Sequence, residues 1–180
     1  MESPDGASSV RATRPRWVDW LQVGFFSTIA RLFTMLFLGL RVDGQHRLPA
    51  RGPLLVVANH ASHIDTLALL SLFPVGALQR VRPVAAADYF LRNRLVGALA
   101  RAFFNILPIS RDGTSGEDPI GLRVAALDRG EILILFPEGT RGEGEEMVGF
   151  RGGVGRVLSQ RPAVEVVCVG LRNTGRSLPK

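Results

Sequence analysis

Beyond residue 40, short uninterrupted apolar runs alternate with longer amphipathic stretches. Runs such as 53–58 and Ile132–Leu135 are typical of strands buried on both faces of a parallel sheet. The predicted strands cover 53–58, 81–86, 106–110, 132–135 and 163–169, and the predicted helices cover 62–72, 88–104 and 119–129. This order predicts an α/β domain over residues 41–180, with a mostly parallel sheet flanked by helices.

The predicted helix over 119–129 has signals at both ends. Asp118 is a typical N-cap residue, Pro119 suits the first helical position, and Gly130 follows the last one. We therefore expect a short helix with well-defined ends.

The first forty residues follow a different pattern. Residues 1–15 are polar and broken by proline and glycine, which predicts a disordered tail. Residues 16–40 are strongly apolar apart from a polar stripe that includes Arg31. A charge in mid-span costs about 2.5–3.5 kcal/mol on insertion scales, so the stretch favours an amphipathic helical segment in the membrane interface. The alternative is a helix packed on the protein's own core.

The charge of the chain narrows the choice of partners. There are 22 basic and 16 acidic residues, a formal net charge of +6, and Lys180 is the only lysine. Because arginine binds phosphate and carboxylate as a planar fork, a phosphate-bearing partner such as anionic lipid is indicated. Nucleic acid is disfavoured, since the arginines are dispersed and no recognition motif is present.

Cys168 is the only cysteine, so the chain has no internal disulfide. It lies in an apolar run of valines, and we expect it to be a buried small hydrophobic residue.

Polar groups follow three of the predicted strands. In open α/β sheets the functional loops lie beyond the carboxyl ends of the strands. Segments 59–65, 110–112 and 136–142 should therefore meet at one rim of the sheet.

The first of these segments contains a histidine and a carboxylate five residues apart. His60 and Asp65 can form an imidazole–carboxylate pair across a strand-to-helix turn, which leaves one ring nitrogen free to accept a proton. Alternatively, Ser62 and Asp65 form an approximate capping box, and both descriptions can hold together. A metal site using His63 is disfavoured, because the spacing lacks the glutamate of the zinc helix motif.

The segment after the fourth strand carries charged and hydroxyl groups. Gly139 allows close approach of a ligand to the backbone, while Glu138, Thr140 and Arg141 supply an acceptor, a hydroxyl and an anion-binding fork. An ordinary turn with solvated charges is the alternative. Two further arginines, Arg111 after the third strand and Arg151 before a glycine pair, extend the candidate anion site.

These motifs resemble those of the glycerolipid acyltransferase family, best known for 1-acylglycerol-3-phosphate acyltransferases. The first family block is Asn-His-(four residues)-Asp, matched by Asn59, His60 and Asp65. The second ends in an arginine, matched by Arg111, and the third, Phe-Pro-Glu-Gly-Thr-Arg, is matched without a gap by residues 136–141. A Phe-basic-x-Gly element matches Phe150, Arg151 and Gly153.

The resemblance implies direct acyl transfer from a thioester to a lysophospholipid hydroxyl. His60 would be the base and Asp65 its orienting partner, while Arg111, Glu138 and Arg141 would hold the glycerol phosphate, with Gly139, Thr140 and Arg151 as additional candidates. The donor would be acyl-coenzyme A or acyl-carrier protein, without a metal or bound cofactor. We expect the protein to be membrane-associated, on the cytoplasmic face of the cell membrane.

Two other interpretations stay open at this point. The acceptor could be another lysophospholipid or a lyso-aminolipid, since two arginines favour a phosphate without specifying it. The protein could also be a non-catalytic binder of anionic lipid, although the His60–Asp65 pair argues against that.

Overall fold

The computed structural model of the protein describes residues 40–62, 64–87, 103–110, 118–140 and 149–174, together with residues 24, 25, 28 and 32. The predicted tail, most of segment 16–40 and most of the predicted helix over 88–104 lie outside these residues.

Five parallel strands form a single sheet in the order β3-β2-β4-β1-β5. The strands are β1 (Leu54–Ala58), β2 (Val81–Ala86), β3 (Leu107–Ile109), β4 (Ile132–Leu135) and β5 (Glu165–Val169). Both neighbours of β1 come late in the sequence: Leu54 is in register with Ile132 of β4 and with Glu165 of β5. The prediction of a mostly parallel sheet is therefore confirmed.

Helices connect the strands. The α-helices in the described residues are α1 (Ile64–Ser71), α2 (Pro119–Asp128) and α3 (Gly153–Gln160), and shorter 3-10 helices cover Gln45–Arg47 and Val75–Arg80. The expected ends of α2 are confirmed, because the Asp118 side chain accepts a hydrogen bond from the N–H of Ile120 at 2.9 Å, and Gly130 has φ +73°.

Apolar side chains of the sheet pack on both of its faces. On β1, Leu54 and Val56 pack with α1 and the Val75–Arg80 turn, whereas Leu55 packs with α2 and α3. Because each β1 side chain alternates between these two clusters, the strand has no solvent-facing side. This explains the uninterrupted apolar run, and it anchors the end of β1 rigidly for the residues that follow.

Within the described residues, Phe25 of the N-terminal segment makes two aromatic contacts with the domain. The ring of Phe25 lies 5.0 Å from that of Phe103 and 6.4 Å from that of Phe104, between ring centroids. Leu32, by contrast, is exposed. Within the described part of the chain, no helix combines the length and apolar character needed to cross a bilayer.

The expectation of a buried Cys168 is wrong. The thiol is exposed, and so is the neighbouring Val166 on the same strand. The reason is the position of β5 at the edge of the sheet, where it pairs only with β1 among the described strands. An apolar run in sequence does not distinguish such an edge from a central strand.

Candidate active site

His60 and Asp65 meet where β1 ends and α1 begins. His60 lies two residues beyond β1, and Asp65 is the second residue of α1. Nδ1 of the imidazole lies 2.9 Å from Oδ2 of the carboxylate, so the pair predicted from the spacing forms in the structure. The Asp65 side chain is fully buried, whereas that of His60 is 19% exposed, which leaves the ring accessible from the rim.

The same carboxylate oxygen also holds the turn together. Oδ2 of Asp65 accepts hydrogen bonds from the N–H groups of Ala61 at 2.7 Å and Ser62 at 2.8 Å. The Asp65 side chain thus reaches back to the start of its own helix, as the capping alternative describes. Capping and imidazole pairing coexist, since one buried oxygen accepts all three bonds.

Asp65 is held in its ionised form. Burial opposes the charge, but the hydrogen bonds from His60, Ser62 and Ala61, together with the nearby Thr174 hydroxyl, outweigh it, and the pKa of Asp65 lies below its ordinary value. An ionised carboxylate only accepts hydrogen bonds, so the proton of a neutral His60 ring resides on Nδ1. Nε2 is then left with a free lone pair, as a general base requires.

The loop after β4 packs directly against His60. The Phe136 ring stacks on the imidazole with centroids 4.0 Å apart and an interplanar angle of 18°. Oε1 of Glu138 accepts a hydrogen bond from the backbone N–H of His60 at 3.0 Å. Since β1 and β4 are paired neighbours, the two loops that follow them meet at the same rim.

These contacts show two structural roles that the sequence did not predict. Phe136 orients the ring of His60, and Glu138 orients its backbone. Glu138 is 3% exposed, so its carboxylate faces the protein interior in this structure. Its predicted role in holding the acceptor stays a prediction.

Gly139 forms a tight turn beneath Arg151. Gly139 has φ +70°, and its N–H donates to the carbonyl of Phe136 at 3.0 Å. A Cβ atom at this position would lie 2.9 Å from Cδ of Arg151, whose own N–H donates to the carbonyl of Pro137 at 2.8 Å. The structure therefore places Arg151 at the turn that follows β4, which also contains Glu138.

The structure does not describe every predicted site residue. Thr140 is exposed next to Gly139, and the second predicted segment is described only as far as Ser110. Arg111, Arg141 and His63 lie outside the described residues. Within the described ranges, no three His, Cys, Asp or Glu side chains are grouped in a way that could hold a metal ion.

The histidine paired with a buried carboxylate lies at the carboxyl ends of a parallel sheet, where α/β proteins carry their functional loops. Residues 39–172 match the family model described as "Acyltransferase", and the chain belongs to that family.

The chain is similar to several curated proteins, acyltransferases among them. It is 29% identical over 157 residues to a tafazzin of Drosophila melanogaster, covering 81% of this chain and 40% of that protein. It is 33% identical to a lyso-ornithine lipid O-acyltransferase of Pseudomonas aeruginosa, covering 82% of this chain and 53% of that protein. It is 27% identical to a chloroplast 1-acyl-sn-glycerol-3-phosphate acyltransferase of Arabidopsis thaliana, covering 86% and 43%. The chain thus spans about half the length of the curated relatives it matches, or less.

A solved structure has the same fold. The 1-acyl-sn-glycerophosphate acyltransferase PlsC of Thermotoga maritima superposes with a TM-score of 0.57 and 21% sequence identity, covering 85% of this chain and 56% of that one. The likeness agrees with the parallel α/β architecture described above.

Proposed function

We propose that this protein is an O-acyltransferase that moves a fatty acyl group to the free hydroxyl of 1-acylglycerol-3-phosphate, giving phosphatidic acid. The donor is acyl-coenzyme A or acyl-carrier protein. The observation that carries the proposal is the 2.9 Å contact between Nδ1 of His60 and Oδ2 of Asp65, because it frees Nε2 to act as a base.

The chemistry needs no covalent enzyme intermediate. Nε2 of His60 takes the proton of the acceptor hydroxyl while the hydroxyl oxygen attacks the thioester carbonyl. Asp65 stabilises the imidazolium that results, because its carboxylate is buried beside Nδ1. When the C–S bond breaks, the departing thiolate receives the proton from His60, and the new ester bond remains on the lipid.

The residues around His60 suit an anionic acceptor. Arg151 lies at the Gly139 turn, and the sequence supplies Arg141 two residues further along that loop. Arginine binds phosphate through two parallel hydrogen bonds, which favours a phosphate-bearing head group. The resemblance to 1-acyl-sn-glycerol-3-phosphate acyltransferases points the same way.

A second acceptor is favoured by a specific observation. Two relatives, each 33% identical to this chain, are named lyso-ornithine lipid O-acyltransferases. A lyso-aminolipid acceptor would keep the same base and the same donor chemistry and would change only the contacts to the head group. Both acceptors are membrane lipids, so we place the enzyme at a membrane surface, on the cytoplasmic side where the thioester donors are dissolved.

The test is a turnover screen with the purified full chain. Labelled acyl-coenzyme A and acyl-carrier protein are offered with 1-acylglycerol-3-phosphate, lyso-ornithine lipid or another lysophospholipid in mixed vesicles, and the labelled lipid product is counted. We expect the largest kcat/KM with 1-acylglycerol-3-phosphate. A larger kcat/KM with lyso-ornithine lipid would show that this lipid, and not 1-acylglycerol-3-phosphate, is the acceptor. Lipid binding without turnover of either donor would identify a non-catalytic lipid-binding protein.

Arg141 provides a test of head-group recognition. We expect Arg141→Ala to raise KM for the phosphate-bearing acceptor by about tenfold or more, with little change in KM for the donor, because a charge-assisted bidentate contact is lost. Arg141→Lys should restore little, since an ammonium cannot form that contact. The measurement is steady-state kinetics with each substrate varied in turn.

Arg80→Ala is the matched control for Arg141→Ala. Arg80 is exposed and directly precedes β2, which places it at the opposite end of the sheet from His60. It should leave both KM values unchanged. If Arg141→Ala raises KM equally for an acceptor that lacks phosphate, Arg141 does not bind the phosphate of the head group.

A further inference from the structure

Asn59 ties the loop of His60 to the segment that follows β5. Its Nδ2 donates to the carbonyl of Leu171 at 2.9 Å, and its Oδ1 accepts from the N–H of the same residue at 2.7 Å. Because Leu171 offers one donor and one acceptor, both ends of the amide are engaged. A side chain next to the base thus continues the β1–β5 pairing beyond the last paired residues, Ala58 and Val169.

This connection determines where the next residues of the chain lie. Three residues after Leu171, the hydroxyl oxygen of Thr174 is buried. Among the described residues it makes no hydrogen bond of standard geometry, and neither does the buried Oδ1 of Asp65. The two groups are neighbours, since Thr174 is one of the causes that hold the pKa of Asp65 below its ordinary value.

The two oxygens are complementary. A hydroxyl can donate, and an ionised carboxylate oxygen can only accept. In the described part of the chain, the hydrogen bonds of standard geometry to this carboxylate come from His60, Ala61 and Ser62, and all go to Oδ2. Leaving Oδ1 buried without a donor would be unfavourable, and the neighbouring Thr174 hydroxyl has a donor to offer.

We propose that Thr174 is a positioning residue whose hydroxyl donates to Oδ1 of Asp65 and fixes the rotation of the carboxylate, with Asn59 as the clamp that brings Thr174 there. The inference rests on the proposed function, because it assigns to Asp65 the task of orienting a catalytic base. It adds a hydrogen bond at Oδ1, the carboxylate oxygen that His60 does not contact. The segment after β5 is thereby part of the active site, although it touches no reacting atom.

The experiment compares Thr174→Val, which keeps the shape and removes the hydroxyl, with Thr174→Ser, which keeps the hydroxyl. We expect Thr174→Val to lower kcat by about tenfold or more with KM unchanged, because a hydrogen bond to a charged group is lost. Thr174→Ser should recover most of the activity. Ser71→Ala is the matched control, since the Ser71 hydroxyl bonds only within α1, to the carbonyl of Ala68 at 2.6 Å.

The pH profile separates this role from a merely structural one. Loss of the Thr174 hydrogen bond raises the pKa of Asp65, so the NMR titration of the Asp65 side-chain carboxyl should move to higher pH in Thr174→Val and stay in place in Thr174→Ser. Asn59→Ala should reproduce the Thr174→Val profile, and adding Thr174→Val to it should cause little further loss, because the two residues act as one unit.

A measurement that does not depend on turnover keeps the two proposals distinguishable. The low-field NMR resonance of the proton between Nδ1 of His60 and Asp65 should be present in wild type and Thr174→Ser and weakened or lost in Thr174→Val. Unchanged kcat, Asp65 titration and His60–Asp65 proton resonance in Thr174→Val would overturn the inference, as would failure of serine to rescue a folded variant. If the wild type shows that resonance but transfers no acyl group, the proposed function fails instead.

Discussion

Replacing His60 by alanine should lower kcat by at least about 10²-fold, the usual contribution of a general base. The stacked Phe136 ring has no basic atom, and Asp65 is fully buried behind the imidazole. Glu138, the other carboxylate that contacts His60, is buried and accepts from the backbone N–H of His60, so it is not placed to replace Nε2. The measurement is single-turnover transfer of labelled acyl chain, which isolates the chemical step from product release.

His46→Ala is the matched control for His60→Ala. His46 is exposed in the 3-10 helix Gln45–Arg47, which precedes β1 in the chain. It should retain the wild-type rate. The thermal unfolding curves of both variants should remain cooperative, since a partly exposed His60 ring contributes little to the core. Near-full activity in a folded His60→Ala variant would refute the proposed mechanism.

Replacing Asp65 by asparagine should lower kcat by about 10²- to 10⁴-fold, since loss of the carboxylate in a histidine dyad can select the wrong ring tautomer. With an amide NH₂ against Nδ1, the ring proton moves to Nε2, which can then no longer accept one. The buried negative charge that stabilises the imidazolium is lost as well. The control is Asp128→Asn, where the carboxylate is exposed and pairs with Arg161. That change should leave turnover intact.

Asp65→Asn should also alter how stability depends on pH. The pKa of Asp65 is lower in the folded protein than its ordinary value of 3.8, so ionisation of Asp65 stabilises the fold at any pH above 3.8. This contribution is lost as the pH falls through the pKa of the folded state. The difference in free energy of unfolding between wild type and Asp65→Asn should therefore become smaller as the pH drops below about 3.8. Chemical denaturation at several acidic pH values measures it. A gap that widens on acidification would contradict the assigned direction.

The bounds of the central elements follow from the sequence because those elements have strong local signals. Strand β4 begins and ends where its apolar run does, since a strand buried on both faces tolerates no polar interruption. Helix α2 was predictable at both ends because Asp118 and Gly130 act through contacts within a few residues. The strand order was not predictable, because it depends on pairings between distant segments such as β1 and β5.

In the candidate active site, too, contacts between residues close in sequence were predictable and contacts between distant residues were not. The His60–Asp65 pair spans five residues, so its spacing alone indicated the contact. The Glu138 bond to His60 and the Asn59 bonds to Leu171 span 78 and 112 residues. Neither could be inferred without the sheet order. The error at Cys168 has the same origin, because an edge strand and a central strand share one apolar pattern.

The place of β1 in the sheet has a consequence for synthesis of the protein. β1 precedes the other described strands in the chain, yet its partners, β4 and β5, are the last two described strands to be made. A nascent chain that ends before residue 132 therefore carries the apolar strand Leu54–Ala58 with both edges unpaired. Such edges template association with other chains, and pairing across long sequence separations is slow. The His60–Asp65 pair thus sits at the end of a strand whose edges stay unpaired until β4 and β5 have been made, and His60 acquires its described environment only after β5 emerges.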